Sequence, residues 1–131
     1  MSTQRQQPEV IAAALGASTI AIVGLSSNPM RPSYGVAEYL INAGFEVIPV
    51  NPREQEVLGL PCYASLAEVP VAIDMVDVFR ESSAVPDIAQ QAVAIGAKFL
   101  WLQLGVISDE GVGIAEAGGM QCVVDLCTKI E

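Results

Sequence analysis

Short apolar runs recur along the chain at intervals of about 25 residues, and between them the apolar residues fall at helical spacing. That alternation limits the fold more than any other feature, because strand, helix, strand repeats build parallel sheets with covering helices. The runs are TIAIVG (19–24), FEVIPV (45–50), VAIDMVDVF (71–79), KFLWLQ (98–103) and MQCVVD (120–125). The third is nearly continuous in apolar residues, as suits a parallel strand covered on both faces.

Helices are expected between these strands. Pro8, Val10, Ile11, Ala14 and Leu15 before Gly16 make a short leading helix. Ser33 is placed to cap a helix carrying Val36, Ala37, Leu40 and Ile41, ending at Gly44 in a left-handed cap. A helical turn around Ser65 to Glu68 precedes the third strand. Ser82 or Ser83 caps the helix of Val85, Ile88, Ala89, Ala92 and Val93, and Ser108 caps another with Asp109 and Glu110 in its first turn. The pattern predicts an α/β fold, with one Rossmann-like doubly wound domain over residues 1–131. Its five-stranded parallel sheet has the expected order 3-2-1-4-5, with right-handed crossovers and helices on both faces.

Composition narrows the function. The 131 residues suit one domain, and 52% hydrophobic residues exclude a disordered chain. Six Lys and Arg against fifteen Asp and Glu give a net charge of -9, which opposes nucleic acid and anionic lipid as partners. No apolar run is long enough for a bilayer, and MSTQRQQPEV has no secretory h-region, so a cytoplasmic protein is expected. The absence of histidine excludes imidazole as base or phosphoryl carrier. Neither a catalytic constellation nor a metal site is expected. Cys62, Cys122 and Cys127 form no C-x-x-C pair.

In doubly wound sheets ligands lie beyond the carboxyl ends of the strands where the order reverses, here the loops after strands one and four. Those loops are Leu25 to Pro32 and Leu104 to Ile107. The first reads GLSSNPMRPSYG: Gly24 permits a tight turn, Ser26 and Ser27 offer hydroxyls, and free N–H groups at the helix start attract an anion. The dinucleotide pattern G-x-G-x-x-G is absent, and strand two ends in VNPR without a ribose-binding acid, which opposes NAD. Arg53 stands there instead and suits a phosphate on the ribose, as in NADP or coenzyme A. Arg31, Arg53 and Arg80 follow strands one, two and three, so three guanidinium forks share one sheet edge.

Asp74 and Asp77 are three apart, which on a strand puts them on opposite faces and excludes a simple carboxylate pair. With Asp125 they read as structural acids held by backbone or arginine donors. Cys127, near Lys129, is the candidate reactive thiol, with an inert, small apolar cysteine as the reading preferred over it. Phe99 and Trp101 are explained by core packing.

Four blocks, IVGLSSNPMRPSYGVAEYL, VIPVNPR, IDMVDVFR and WLQLGV, stand in an order and spacing that closely resembles the small stand-alone CoA-binding proteins. These are similar to the nucleotide-binding domain of the succinyl-CoA synthetase alpha subunit. The resemblance runs from about Thr19 to Glu131. It implies a Rossmann-like domain binding coenzyme A or an acyl-CoA. The implied pyrophosphate loop carries Gly24, Ser26, Ser27, Asn28, Arg31, Ser33, Tyr34 and Gly35. Asn51, Pro52 and Arg53 would lie by the adenosine 3′-phosphate, and Phe79, Arg80, Leu104 and Gly105 would line the nucleotide and pantetheine. The chain departs from that pattern at Asp125-Leu126-Cys127, where a basic residue is expected, and it lacks the histidine that the larger synthetases phosphorylate. The expected function is a non-catalytic CoA-binding module with an unknown protein partner. The alternatives are an NADP-type regulatory module and a thiol-dependent CoA enzyme using Cys127.

Overall fold

Each of the five apolar runs forms a strand, trimmed at its ends. The computed structural model describes residues 14–126. In chain order the elements are β1 (Thr19–Val23), α1 (Pro32–Asn42), β2 (Glu46–Val50), β3 (Glu56–Val57), β4 (Leu60–Pro61), β5 (Met75–Val78), α2 (Val85–Ala94), β6 (Phe99–Leu102), α3 (Asp109–Ala117) and β7 (Gln121–Val124). Single 3-10 turns lie at Leu66–Glu68 and Ser82–Ala84. Of the leading helix, Pro8, Val10 and Ile11 fall outside the described residues, as do Cys127 and Lys129. No helix among the described residues is long and apolar enough to cross a membrane.

The large sheet is wholly parallel and runs β2-β1-β5-β6-β7. The α/β class, the five parallel strands and the helices on both faces are as the sequence predicts. The position of the third long strand is not. Counted along the chain the order is 2-1-3-4-5, with β5 beside β1, where 3-2-1-4-5 puts it beyond β2. Pro49 explains why. Proline has no N–H for a ladder and is confined to edges. Pro49 lies in β2, and its outward carbonyl accepts from the Tyr63 N–H at 3.0 Å, so its nitrogen faces away from β1. With β2 as an edge, the chain must cross β1 to place β5. The connection carries the short β3–β4 hairpin, turned at Leu58 (φ 54) and Gly59 (φ 75), which the sequence reading leaves as loop.

Two cores result. On one face α1 packs Val36, Ala37 and Leu40 on Ile20, Ile22, Met75 and Trp101. On the other, α2 and α3 pack Val85, Ile88, Ala89, Val112 and Ala115 on Val76, Val78, Leu100 and Leu102. Trp101 is fully buried and its indole Nε1 donates to the Leu126 carbonyl at 2.8 Å.

The amino ends of β1 and β5 are tied by Asp74, which precedes β5 rather than lying in it. Its Oδ2 accepts from the Ser18 and Thr19 N–H groups at 3.2 and 3.1 Å and from the Ser18 hydroxyl at 3.1 Å. These bonds, the Thr19 N–H foremost, hold its carboxyl below its ordinary value of 3.8. A lowered pKa contributes stability that is present above the unfolded value and lost as pH falls through the folded one. Because solvent screens this mostly exposed carboxylate, Asp74→Asn is expected to lower stability by about 0.5–1 kcal/mol near neutral pH. In urea titrations the gap to wild type should close below about pH 4. A gap that stays constant down to pH 2.5 would show that the charge has no part in the tie.

Candidate functional site

Because the strand order reverses between β1 and β5, the crevice opens above these two strands, where the loops after β1 and β5 diverge. The expected pair of loops, after strands one and four, is corrected to this extent. The loop after β6 still reaches the crevice from the side. A cleft of about 890 Å3 lies there, lined from the carboxyl ends of β1, β2, β5 and β6 and from the start of α1.

Gly24 closes β1 and has to be glycine for two reasons. Its φ is +90°, and a Cβ there would stand 2.5 Å from the carbonyl oxygen of Phe79. That contact brings the loops after β1 and β5 together. Gly24 N–H donates to Val50 O and Phe79 N–H to Val23 O, each at 2.8 Å, which carries the sheet pairing to the cleft floor.

Beyond Gly24 the loop is braced by its own side chains. Ser33 does not cap α1: the N-cap is Arg31, without a side-chain cap bond, and Pro32 takes a first-turn position that needs no N–H. The Ser33 hydroxyl instead accepts from the Ser26 N–H at 3.1 Å. Ser26 Oγ accepts from Asn28 N–H, and Asn28 Oδ1 from Met30 N–H. Ser27 donates its N–H and its hydroxyl to Glu54 Oε2 at 3.0 and 2.8 Å. Several N–H groups expected to be free for an anion thus have partners within the chain, because short polar side chains reach back to loop backbone.

The loop after β2 is fixed by Asn51. Its Nδ2 donates to Leu25 O at 3.1 Å and its Oδ1 accepts from the Arg53 N–H at 2.9 Å, an Asx turn that sets the start of the arginine. Arg31, Arg53 and Arg80 all line the cleft, joined by two acids, Glu54 and Glu81. The Ser27 N–H, and next its hydroxyl, hold the Glu54 carboxyl below its ordinary value. Hydrogen bonding from Arg80 does the same for Glu81, with a smaller part from the charge of Arg53. Arg80 Nε stands 3.1 Å from Glu81 Oε1, both partly exposed. Arg80 is thus engaged but able to exchange partners with an incoming anion.

Of the residues singled out in the sequence, Gly24, Ser26, Arg31, Ser33, Asn51, Pro52, Arg53, Phe79, Arg80 and Leu104 line the cleft. Ser27, Asn28, Tyr34, Gly35 and Gly105 do not line it. Ser27 and Asn28 brace its first loop, Tyr34 and Gly35 lie in α1, and Gly105 donates its N–H to Asp125 Oδ1 at 2.7 Å. Pro32 and Val106, from the two loops expected to meet a ligand, and Gln103 beside the second line it as well, whereas sequence reasoning missed Val36, Glu54 and Glu81 as lining residues. Gln103 is buried and its Nε2 donates to the buried Asp77. The donors to Asp74, Asp77 and Asp125 include backbone, hydroxyl and amide groups, as structural acids require. Ser82 leads a 3-10 turn rather than capping α2, and its hydroxyl accepts from the Ile107 N–H at 3.0 Å; Ser108 does cap α3, accepting from Gly111 N–H at 3.0 Å. Burial pushes the Cys62 thiol up, and it donates to Asn51 O at 3.5 Å.

The family model of the CoA binding domain matches residues 18–131. The chain belongs to that family. It is 39% identical over 111 residues to the uncharacterized protein YneT of Bacillus subtilis, which covers 85% of this chain and 82% of that one. The ADP-forming acetate–CoA ligase II of Archaeoglobus fulgidus is 28% identical over 100 residues, 75% of this chain but only 15% of the ligase. A solved hypothetical protein from Pyrococcus horikoshii OT3 superposes with a TM-score of 0.94 at 33% identity, covering 99% of this chain and 92% of that one. The relatives that match over most of their own length are thus stand-alone proteins of the same size class, and the ligase is matched over one segment.

Proposed function

We propose that the protein is a single CoA-binding module over residues 1–131 that holds coenzyme A, or an acyl-CoA, in this cleft without chemistry of its own. The observation that carries the reading is the convergence of Arg31, Arg53 and Arg80 on one cleft in a chain of net charge -9. Three guanidinium forks match a ligand with a pyrophosphate and a further phosphate. The volume of about 890 Å3 falls in the upper range of small-molecule sites. In this reading Ser26 and Arg31 serve the pyrophosphate, Ser27 can join them only once its donors leave Glu54, and Arg53 serves the ribose phosphate. Phe79, Leu104 and Val106 offer apolar surface to the pantetheine. The ligand reading extends the family membership, and the ligase relative adds that a CoA-handling enzyme contains a similar segment.

Calorimetry at one ionic strength is expected to give CoA the tightest binding, ahead of NADP and NAD. The same preparation should turn over neither acyl-CoA with ATP nor nicotinamide substrates. Equal or tighter binding of NAD would overturn the ligand assignment, and NADP as the preferred ligand would replace it by a regulatory nucleotide module. Turnover lost in Cys127→Ser would establish a thiol enzyme instead.

A further inference from the structure

We infer that Glu54 is a resident counter-anion of the cleft, whose carboxylate holds the Ser27 donors until a phosphate of the ligand displaces it. Glu54 then sets how tightly the cleft retains a polyanion. This rests on the CoA reading and names how that same site is regulated.

The geometry points to Glu54 on three grounds. One carboxylate oxygen takes both donors of Ser27, at 3.0 and 2.8 Å, the manner in which a βα loop receives a phosphate oxygen. The neighbouring loop donors close on the loop and helix start themselves: Ser26 N–H on Ser33, Asn28 N–H on Ser26, Met30 N–H on Asn28. Ser27 sends its donors across to the loop after β2, where the partner lines the cleft. Finally, Glu54 and Glu81 stand among Arg31, Arg53 and Arg80, so the cleft carries two anions against three cations before any ligand arrives. A phosphate entering this space meets an ionised carboxylate, since the Ser27 bonds keep Glu54 well charged. Glu54 holds both Ser27 donors and lines the cleft where Ser27 does not, so a phosphate reaches these donors by displacing the carboxylate. The ligand phosphate, with more charge and further arginine contacts, takes them, and the glutamate swings out.

The rival is a plain structural tie between the loops after β1 and β2. Glu54→Gln separates the two, because the amide oxygen can still accept from Ser27 while the charge is gone. As a resident anion, its neutralisation strengthens CoA binding by roughly twofold to fivefold, the range of a partly exposed charge pair. The gain should shrink as salt is raised. Glu68→Gln, an exposed acid in the Leu66–Glu68 turn outside the cleft, controls for net charge and should gain nothing comparable. Carboxyl carbon-13 titration of wild type adds a direct readout: Glu54 should titrate below its usual range when free and shift upward with CoA bound. Wild type that fails to bind CoA at all overturns the CoA reading and the inference with it. Wild type that binds CoA overturns the counter-anion role alone under any of three results: Glu54→Gln unchanged or weaker, Glu68→Gln gaining equally, or Glu54 titrating the same with and without ligand.

Discussion

Dephospho-CoA is expected to bind about ten- to a hundredfold more weakly than CoA, and Arg53→Ala is expected to erase most of that difference. Arg53 follows β2 directly, its backbone N–H is pinned by Asn51 Oδ1, and its side chain lines the cleft. In doubly wound sheets the end of the second strand is where the ribose of a nucleotide lies. A charge-assisted hydrogen bond to the ribose phosphate contributes about 1.5–3 kcal/mol, which converts to the stated range. Arg31→Ala serves as the contrast. It stands at the N-cap of α1, and if it meets the pyrophosphate it weakens both ligands alike. Equal binding of CoA and dephospho-CoA by wild-type protein would return Arg53 to a solvated loop arginine.

Gly24→Ala should cost about 2–4 kcal/mol, combining the left-handed backbone with an overpacked contact. For a chain of this size that is a fall in Tm of roughly 10 °C. The added methyl would sit 2.5 Å from the Phe79 carbonyl and 3.0 Å from Arg80 Cδ, so the loop after β5 must retreat and the cleft must open. CoA affinity should fall with it. Gly105→Ala isolates the backbone part, because its φ is +82° but a Cβ there meets nothing within 4 Å. Its loss should be about 1 kcal/mol. Equal Tm losses in thermal scans of the two variants would remove the close approach of Gly24 and Phe79 from the account.

Strand positions were readable in the sequence because buried parallel strands are short apolar runs and little else in this chain looks like them. Their spatial order depends on pairing, which periodicity does not encode. One residue did encode it: Pro49 inside FEVIPV marks an edge strand, and reading it so puts the third strand on the far side of β1. The β3–β4 hairpin was hidden because its strands are two residues each, below the length at which alternation is visible. At the site, the arginines were legible by type and by place after each strand. Glu54 and Glu81 were not, since an exposed loop acid in an acidic chain carries no pattern. Only the fold reveals that these two stand among the arginines. Ser33 was mistaken for a cap because serine before an apolar helix fits that role equally well. Its hydroxyl found a nearer donor in Ser26.

The tie of Asp74 to Ser18 and Thr19 lies at the amino ends of β1 and β5, whereas the arginines lie past their carboxyl ends. A strand of five residues, about 16 Å, separates the two rims. That distance exceeds the range over which substitutions influence one another. The molecule is therefore divisible for an engineer: its lower rim can be hardened or loosened as a thermostat while its upper rim is retuned for another anionic ligand, and the two sets of changes combine by simple addition.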